Sequence, residues 1–354
     1  MTDSLSLGYY QLFHKYAVLG GKRWHYLDIP PTSPSPALPG AGKTLLLCHG
    51  FPDSWYGWRK QIPELRSLGY RLLVPSQMGY TRSEAPLYPI PEPNEKGEYP
   101  ELGLEDGEDA LKDLYCYTGK FYAQCMEELL TQLGIATVTV VGHDYGAYLG
   151  PKLYLYYPHR VDAMATSCWH YVPALRKFIA MPDFIKVAPS LAYQAYLIGD
   201  ASADFASREG AEAFLRQVFG GSGWGGADES VQMSEDEFQN YMTEFATGGR
   251  FLSYMVSTYK ARRLTYEIEK QDFLDKGVTQ ESMQVDVPYL HIGAEKDMAF
   301  RPPMIKNLRK YVKPDRLDEV WIDASHWLMF ENPEAFNREL VKWLGKVHGD
   351  KSRL

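Results

Sequence analysis

VVGHDYGAYLG, Val140–Gly150, is the stretch that decides how this chain is read. The β-forming run Thr137–Val141 leads into it, and a helix-prone segment follows. Between them, Gly142 and Gly146 stand two places either side of Asp144. A strand, a sharp turn flanked by small residues and then a helix is the layout of a nucleophile elbow, whose usual occupant is Ser. Here the occupant is an aspartate, and the question is what chemistry needs one.

Outward from that turn, short apolar runs alternate with helical patterns. Tyr16–Leu19 and Arg23–Ile29, joined across Gly20-Gly21, predict an N-terminal hairpin. Further strands are predicted at Thr44–Cys48, Arg71–Val74, Thr137–Val141, Ala163–Ser167, Tyr289–Ile292 and Glu319–Ile322. The most apolar of them fit central parallel strands covered on both faces. Phe121, Tyr122, Cys125, Met126, Leu129, Leu130 and Leu133 repeat at helical spacing and stop at Gly134. Alternating βα units predict a doubly wound, mostly parallel α/β sheet.

Two segments break the alternation. Glu84–Asp113 is rich in Pro, Gly and acids and predicts a long surface loop. Residues 174–285 are helix-like and aromatic, interrupted by GGSGWGGAD. They predict an inserted helical cap, with 1–173 and 286–354 forming a discontinuous core.

Composition excludes several classes of function. A net charge of −8 in 354 residues lacks the basic surface that nucleic acid requires. Cys48, Cys116, Cys125 and Cys168 form no CxxC pair and read as buried small hydrophobes in a reducing compartment. No apolar run reaches the roughly 18 residues that span a bilayer, and the N-terminus lacks a signal-peptide core. These features predict a soluble cytoplasmic protein with no metal and no cofactor. The chain ends Ser352-Arg353-Leu354, a variant of the peroxisomal import tripeptide, so peroxisomal location is the alternative address.

The remaining chemistry lies in two later loops. HIGAEKDMAF leaves a strand and reaches Asp297, and WIDASHWLMF leaves the last strand and reaches His326. The order Asp144, Asp297, His326 is the nucleophile, acid, base order of an α/β-hydrolase triad. Each residue falls just beyond the C-terminal end of a strand, where open α/β sheets place their sites. LLLCHGFPDSWYGW carries a buried strand into His49-Gly50-Phe51-Pro52. The backbone N–H groups of Phe51 and Tyr145 are the expected oxyanion-hole donors. His49 and His143 are expected to hold loops in place.

HGFPDSWYGWRKQIPEL, GHDYGA, GAEKDMAFRPPM and ASHWLMFENPEAFNREL resemble, in order and across nearly the whole chain, the blocks of the epoxide hydrolases of the α/β-hydrolase fold. The resemblance is to the soluble type without an N-terminal phosphatase-like domain, since about forty residues precede the first motif. It implies two cap tyrosines that hold the epoxide oxygen. PSLAYQAYLIG resembles the first such block and gives Tyr193; FLSYMVSTYKARRLTYE resembles the second and gives Tyr259, with Tyr196 and Tyr254 as fallbacks. Phe51, Trp55, Tyr145 and Trp327 are expected to line the substrate site. The partners implied are a small-molecule epoxide and water. Ser76-Gln77, where relatives usually carry an Asp and a basic or apolar residue, and the long Glu84–Asp113 loop depart from the pattern.

The resemblance also supplies a reason for the aspartate. A carboxylate stays ionised at neutral pH and attacks an sp³ carbon in line, whereas a serine alkoxide suits a carbonyl. The expected reaction is opening of an epoxide through an ester of Asp144, which a His326-activated water then hydrolyses to a vicinal diol. The alternatives are a haloalkane or haloacid dehalogenase with the same nucleophile, and a catalytically silent ligand receptor. The first would want Trp or Asn donors in place of phenols, and the second could dispense with parts of the triad.

Overall fold

The computed structural model describes residues 5–33, 35–88, 91–199, 201–219, 233–247, 249, 252 and 254–349. The GGSGWGGAD stretch and Ser352-Arg353-Leu354 lie outside them. Eight strands form one sheet: β1 His14–Leu19, β2 Lys22–Ile29, β3 Thr44–Cys48, β4 Arg71–Pro75, β5 Val138–His143, β6 Val161–Ser167, β7 Tyr289–Ala294 and β8 Leu317–Ile322. Their order is β1-β2-β4-β3-β5-β6-β7-β8. β2 is antiparallel to both neighbours, and every pairing from β4 to β8 is parallel.

All residues of β3, β5 and β7 are buried. Their largely apolar runs follow from that, because helices cover both faces of a parallel sheet. One is Gly119–Gln132, opened by Thr118, whose hydroxyl accepts the Phe121 N–H, and packed through Phe121, Cys125, Met126 and Leu129. Gly134 follows at φ 65°, the left-handed end that the sequence predicts. Pro333–His348 begins at Asn332, whose side chain accepts the Ala335 N–H, and buries Phe336, Leu340, Trp343 and Leu344.

Between β6 and β7 the described residues form no strand. Their helices include Met181–Val187, Tyr193–Ile198, Arg208–Phe219, Glu235–Ala246, Ser257–Lys260 and Arg262–Asp272. One face of the Glu235–Ala246 helix carries buried Glu237, Tyr241 and Glu244 against the segment after β3. Arg59 Nε donates to Glu237 at 2.8 Å, the Tyr241 hydroxyl donates to Asp53 at 2.9 Å, and Trp55 Nε1 donates to Glu244 at 3.0 Å. Arg82 pairs with the same Glu244 through two hydrogen bonds.

Glu84–Asp113 is less of a free surface loop than its composition predicts. It holds a 3₁₀ turn at Leu104–Asp106 and a short helix at Glu108–Leu111. Glu101 accepts the Met181 N–H at 2.8 Å and an Arg262 N–H at 2.9 Å, so the loop is tied to the helical insertion. Charge complementarity with helices distant in sequence, invisible in local composition, is the physical reason.

Candidate active site

The turn after β5 is held by three close approaches. A Cβ on Gly142 would lie 2.5 Å from the Gly146 carbonyl oxygen, and one on Gly146 would lie 2.1 Å from that of Cys48. Across the turn, a Cβ on Gly50 would lie 2.6 Å from that of Asp144. Asp144 itself sits at φ 51°, ψ −121°, a conformation rarely open to a residue with a side chain. The elbow is strained, and its glycines make it possible.

Asp144, Asp297 and His326 converge there, all buried. His326 Nε2 lies 3.6 Å from Asp144 Oδ2, and His326 Nδ1 lies 3.0 Å from Asp297 Oδ2. The other Asp297 oxygen accepts the N–H groups of Ala299 at 2.7 Å and Phe300 at 2.9 Å. Phe51 N–H donates to Asp144 Oδ1 at 2.8 Å, and the Tyr145 N–H also bonds this carboxylate. One Asp144 oxygen is thus tied to the backbone while the other faces the imidazole.

Burial raises the Asp144 carboxyl above the usual range, against the opposing pull of His326 and the two N–H donors. Burial acts against the His326 imidazolium, but Asp297, Asp144 and Glu331 outweigh it and push the group up to about 9. Burial likewise acts to raise Asp297, yet the charge and hydrogen bond of His326, the Phe300 N–H and the Cys168 thiol hold it well below the carboxylate range. The carboxylate–imidazolium state of the triad is the one this environment favours.

A cavity of about 230 Å³ opens beside this group, lined among others by Asp144, Tyr145, Trp169, Tyr193, Tyr259 and Phe300. A second, of about 280 Å³, has Phe51, Tyr193, His326 and Trp327 on its wall. Tyr193 belongs to both and hydrogen-bonds with Tyr259. Tyr259 packs on Phe51 and Tyr145, with ring centroids 5.3 and 5.4 Å apart. Burial first, then the neighbouring phenol or the Asp144 charge, raises both hydroxyls well above 10, which keeps them protonated.

The structure therefore brings together Asp144, Asp297, His326, Tyr193, Tyr259, Phe51, Tyr145 and Trp327. It does not bring in Trp55. That indole is fully buried away from both cavities, packed on Tyr10, His14 and Tyr56 and bonded to Glu244. The fallback tyrosines do not line either cavity; the Tyr196 hydroxyl bonds Asp204 at the surface. His49 and His143 hold loops, as expected: His49 Nε2 accepts the Gln77 N–H at 3.3 Å, and His143 Nε2 donates to the His326 carbonyl at 2.8 Å. Gln77 returns a side-chain hydrogen bond to the His49 carbonyl, which gives the unusual Ser76-Gln77 pair a part in the same loop.

Two contributors escaped the sequence reading. Cys168, at φ 62°, points its thiol at the His326 carbonyl, 3.3 Å away, and at Asp297, so it is more than a small hydrophobe. Glu331 accepts the N–H groups of Ser325 and Trp327 at 2.7 and 3.1 Å and so grips the loop on both sides of His326. Only its position five residues after His326 signals it. His143, Cys168 and His326 bring potential ligand atoms within 4.8 Å of one another; His143 Nε2 and the Cys168 thiol both bond the His326 carbonyl, and buried His143 Nδ1 has no hydrogen-bond partner among the described residues.

A mostly parallel sheet with Asp144, Asp297 and His326 just past the ends of β5, β7 and β8 has the arrangement of a hydrolase fold, and comparison with known proteins agrees. The family model described as alpha/beta hydrolase fold matches residues 43–333, and the chain belongs to that family. It is 28% identical over 354 residues to "Epoxide hydrolase srdG" of Neurospora crassa, covering 90% of this chain and 94% of that one. To "Bifunctional epoxide hydrolase 2" of Sus scrofa it is 25% identical, covering 94% of this chain but 55% of the larger protein. An epoxide hydrolase structure from Vigna radiata superposes with a TM-score of 0.70 at 21% identity, covering 94% of this chain and 98% of that one. That likeness bears on the fold. Among the described residues no helix is long and apolar enough to cross a membrane.

Proposed function

We propose that this protein is an epoxide hydrolase that works through a covalent ester of Asp144, with residues 174–285 as the cap over its site. The observation that carries the reading is the placement of two protonated phenols, Tyr193 and Tyr259, on the cavity that also exposes the Asp144 carboxylate. Phenols supply what an epoxide oxygen needs on ring opening, which is a proton donor. The names of the relatives point the same way.

The steps follow from which atoms are already engaged. Phe51 N–H holds Asp144 Oδ1, so Oδ2 is the nucleophilic oxygen. It attacks one epoxide carbon, the C–O bond breaks, and the departing oxygen takes a proton from the tyrosine pair. Asp144 becomes a neutral ester. The proton given to the alkoxide is made good from the His326 imidazolium, directly or through solvent, and the imidazole is left neutral. Nε2 then takes a proton from water, whose oxygen attacks the Asp144 carboxyl carbon. The oxyanion forms on Oδ1, which the Phe51 N–H already holds, with the Tyr145 N–H beside the same carboxyl. Collapse breaks the acyl C–O bond, the His326 proton passes to the departing diol oxygen, and the proton left on the new carboxyl moves to Nε2, which restores the Asp144 carboxylate and the His326 imidazolium.

Single turnover on styrene oxide in H₂¹⁸O tests this sequence. Label must enter Asp144 before it enters diol, and His326→Gln must accumulate a stoichiometric adduct on the Asp144 peptide, visible by intact mass. Label found directly in the first diol would mean that water opens the ring and that the ester does not form.

A further inference from the structure

Two helical stripes face the same cavity. Tyr145, Tyr148 and Lys152 follow Asp144 at helical spacing, and Tyr259, Arg262, Thr265 and Glu269 lie alongside them, with Tyr145 packed on Tyr259 at the near end. The stripes meet at an ion pair: Lys152 Nζ lies 2.7 Å from Glu269 Oε1, with the side chains 1% and 5% exposed. Eight residues at 1.5 Å each put Lys152 about 12 Å along the helical path from Asp144. The pair therefore marks the end of the cavity remote from the chemistry.

A buried ion pair is a poor way to stabilise a fold, since well-packed apolar residues of similar volume are often as good or better. Lys152 has one N–H on the Val172 carbonyl at 3.0 Å and one on Glu269; its ammonium also lies 4.5 Å from the centre of the Tyr148 ring. A ring face is a weak partner that a ligand oxygen can replace. Glu269 is a pure acceptor when ionised. Side by side, the two groups present one donor and one acceptor to whatever fills this end of the cavity, whose other charged lining residues are Lys177, Arg262 and Asp144.

We propose that Lys152 and Glu269 form a binding subsite for a hydroxyl group carried on the substrate roughly 10 Å from its epoxide, so that the preferred substrates are elongated epoxy alcohols. A hydroxyl accepts from Lys152 and donates to Glu269 at once. A carboxylate would meet the Glu269 charge, and an alkyl end would leave the pair with nothing. The inference rests on the epoxide hydrolase reading.

The test compares kcat/KM for 9,10-epoxydecan-1-ol, 1,2-epoxydecane and 9,10-epoxydecanoic acid, with styrene oxide as a substrate too short to reach the pair. The alcohol should be favoured over the alkane and the acid by at least about tenfold, as one well-placed polar contact allows. In Lys152→Met/Glu269→Leu, which removes both charges together, that preference should fall to near one. Equal values for the three long substrates in the unmodified enzyme would overturn the proposal, and so would preference for the acid or the alkane. If no diol forms from styrene oxide either, the epoxide hydrolase reading itself has failed, which is a separate result.

Discussion

His326 stands between two carboxylates, with Nδ1 3.0 Å from Asp297 Oδ2 and Nε2 3.6 Å from Asp144 Oδ2. Only one of those carboxylates changes charge in the proposed reaction. The free enzyme therefore favours the imidazolium, and the esterified enzyme, with Asp144 neutral, favours the imidazole that the second step needs. Alkylation prepares its own base.

That coupling can be read by titration. Asp297, Asp144 and Glu331 together hold His326 at about 9 against burial. Removing the Asp144 charge disfavours the protonated form, so His326 in Asp144→Asn should titrate at a lower pH than in the native enzyme, by NMR of the imidazole. Equal values would mean that the two groups are not coupled. The raised value also carries a stability dependence. Stability from the protonated ring is full below the unfolded value of about 6.5 and is lost as pH rises through about 9. His326→Gln should flatten the melting temperature over that window.

The cap tyrosines should back each other up. Tyr193 and Tyr259 share a hydrogen bond, so either can donate when the other is lost. Tyr193→Phe or Tyr259→Phe alone should lower kcat by roughly 10- to 100-fold, and the double change by about 10⁴-fold, the upper end of the range for acid catalysis. Native-like turnover in the double variant would remove both from the mechanism.

At the elbow the demand is steric. Gly146→Ala would place a methyl 2.1 Å from the Cys48 carbonyl oxygen, on backbone that cannot step aside. The cost should exceed about 3 kcal/mol, at the top of the range for overpacking. Denaturant midpoints would show it, and a variant as stable as the native chain would mean that the turn relaxes.

The contact between Arg59 and Glu237 gives a prediction away from the chemistry. Arg59 is fully buried, so Glu237→Ala should cost about 3–5 kcal/mol by leaving an uncompensated guanidinium. Arg59→Met/Glu237→Leu should recover most of that loss. A double variant no better than the single one would show that the pair is not the cause.

How far the sequence could be read depended on how local each cause was. β3, β5 and β7 were legible because a strand buried on both faces is largely apolar, and Asp144, Asp297 and His326 because each lies in the turn just past a strand, β5, β7 and the half-exposed β8. Tyr193 and Tyr259 were legible through resemblance alone, since nothing in helical spacing distinguishes them from Tyr196. Trp55 was misplaced for the opposite reason. It stands beside the oxyanion motif, but its partners Tyr10, His14 and Glu244 lie far off in the chain. The Lys152–Glu269 pair was invisible for the same cause.

The insertion between Ser167 and Tyr289 has a consequence for biosynthesis. While the ribosome is still making it, β6 has no partner on its outer side, and its row of backbone groups is an open edge. Such edges recruit other chains. The helical insertion delays the arrival of β7, so the nascent protein carries Asp144 and an unfinished sheet before Asp297 and His326 exist. A nascent chain stopped within the insertion should need a chaperone to stay in solution.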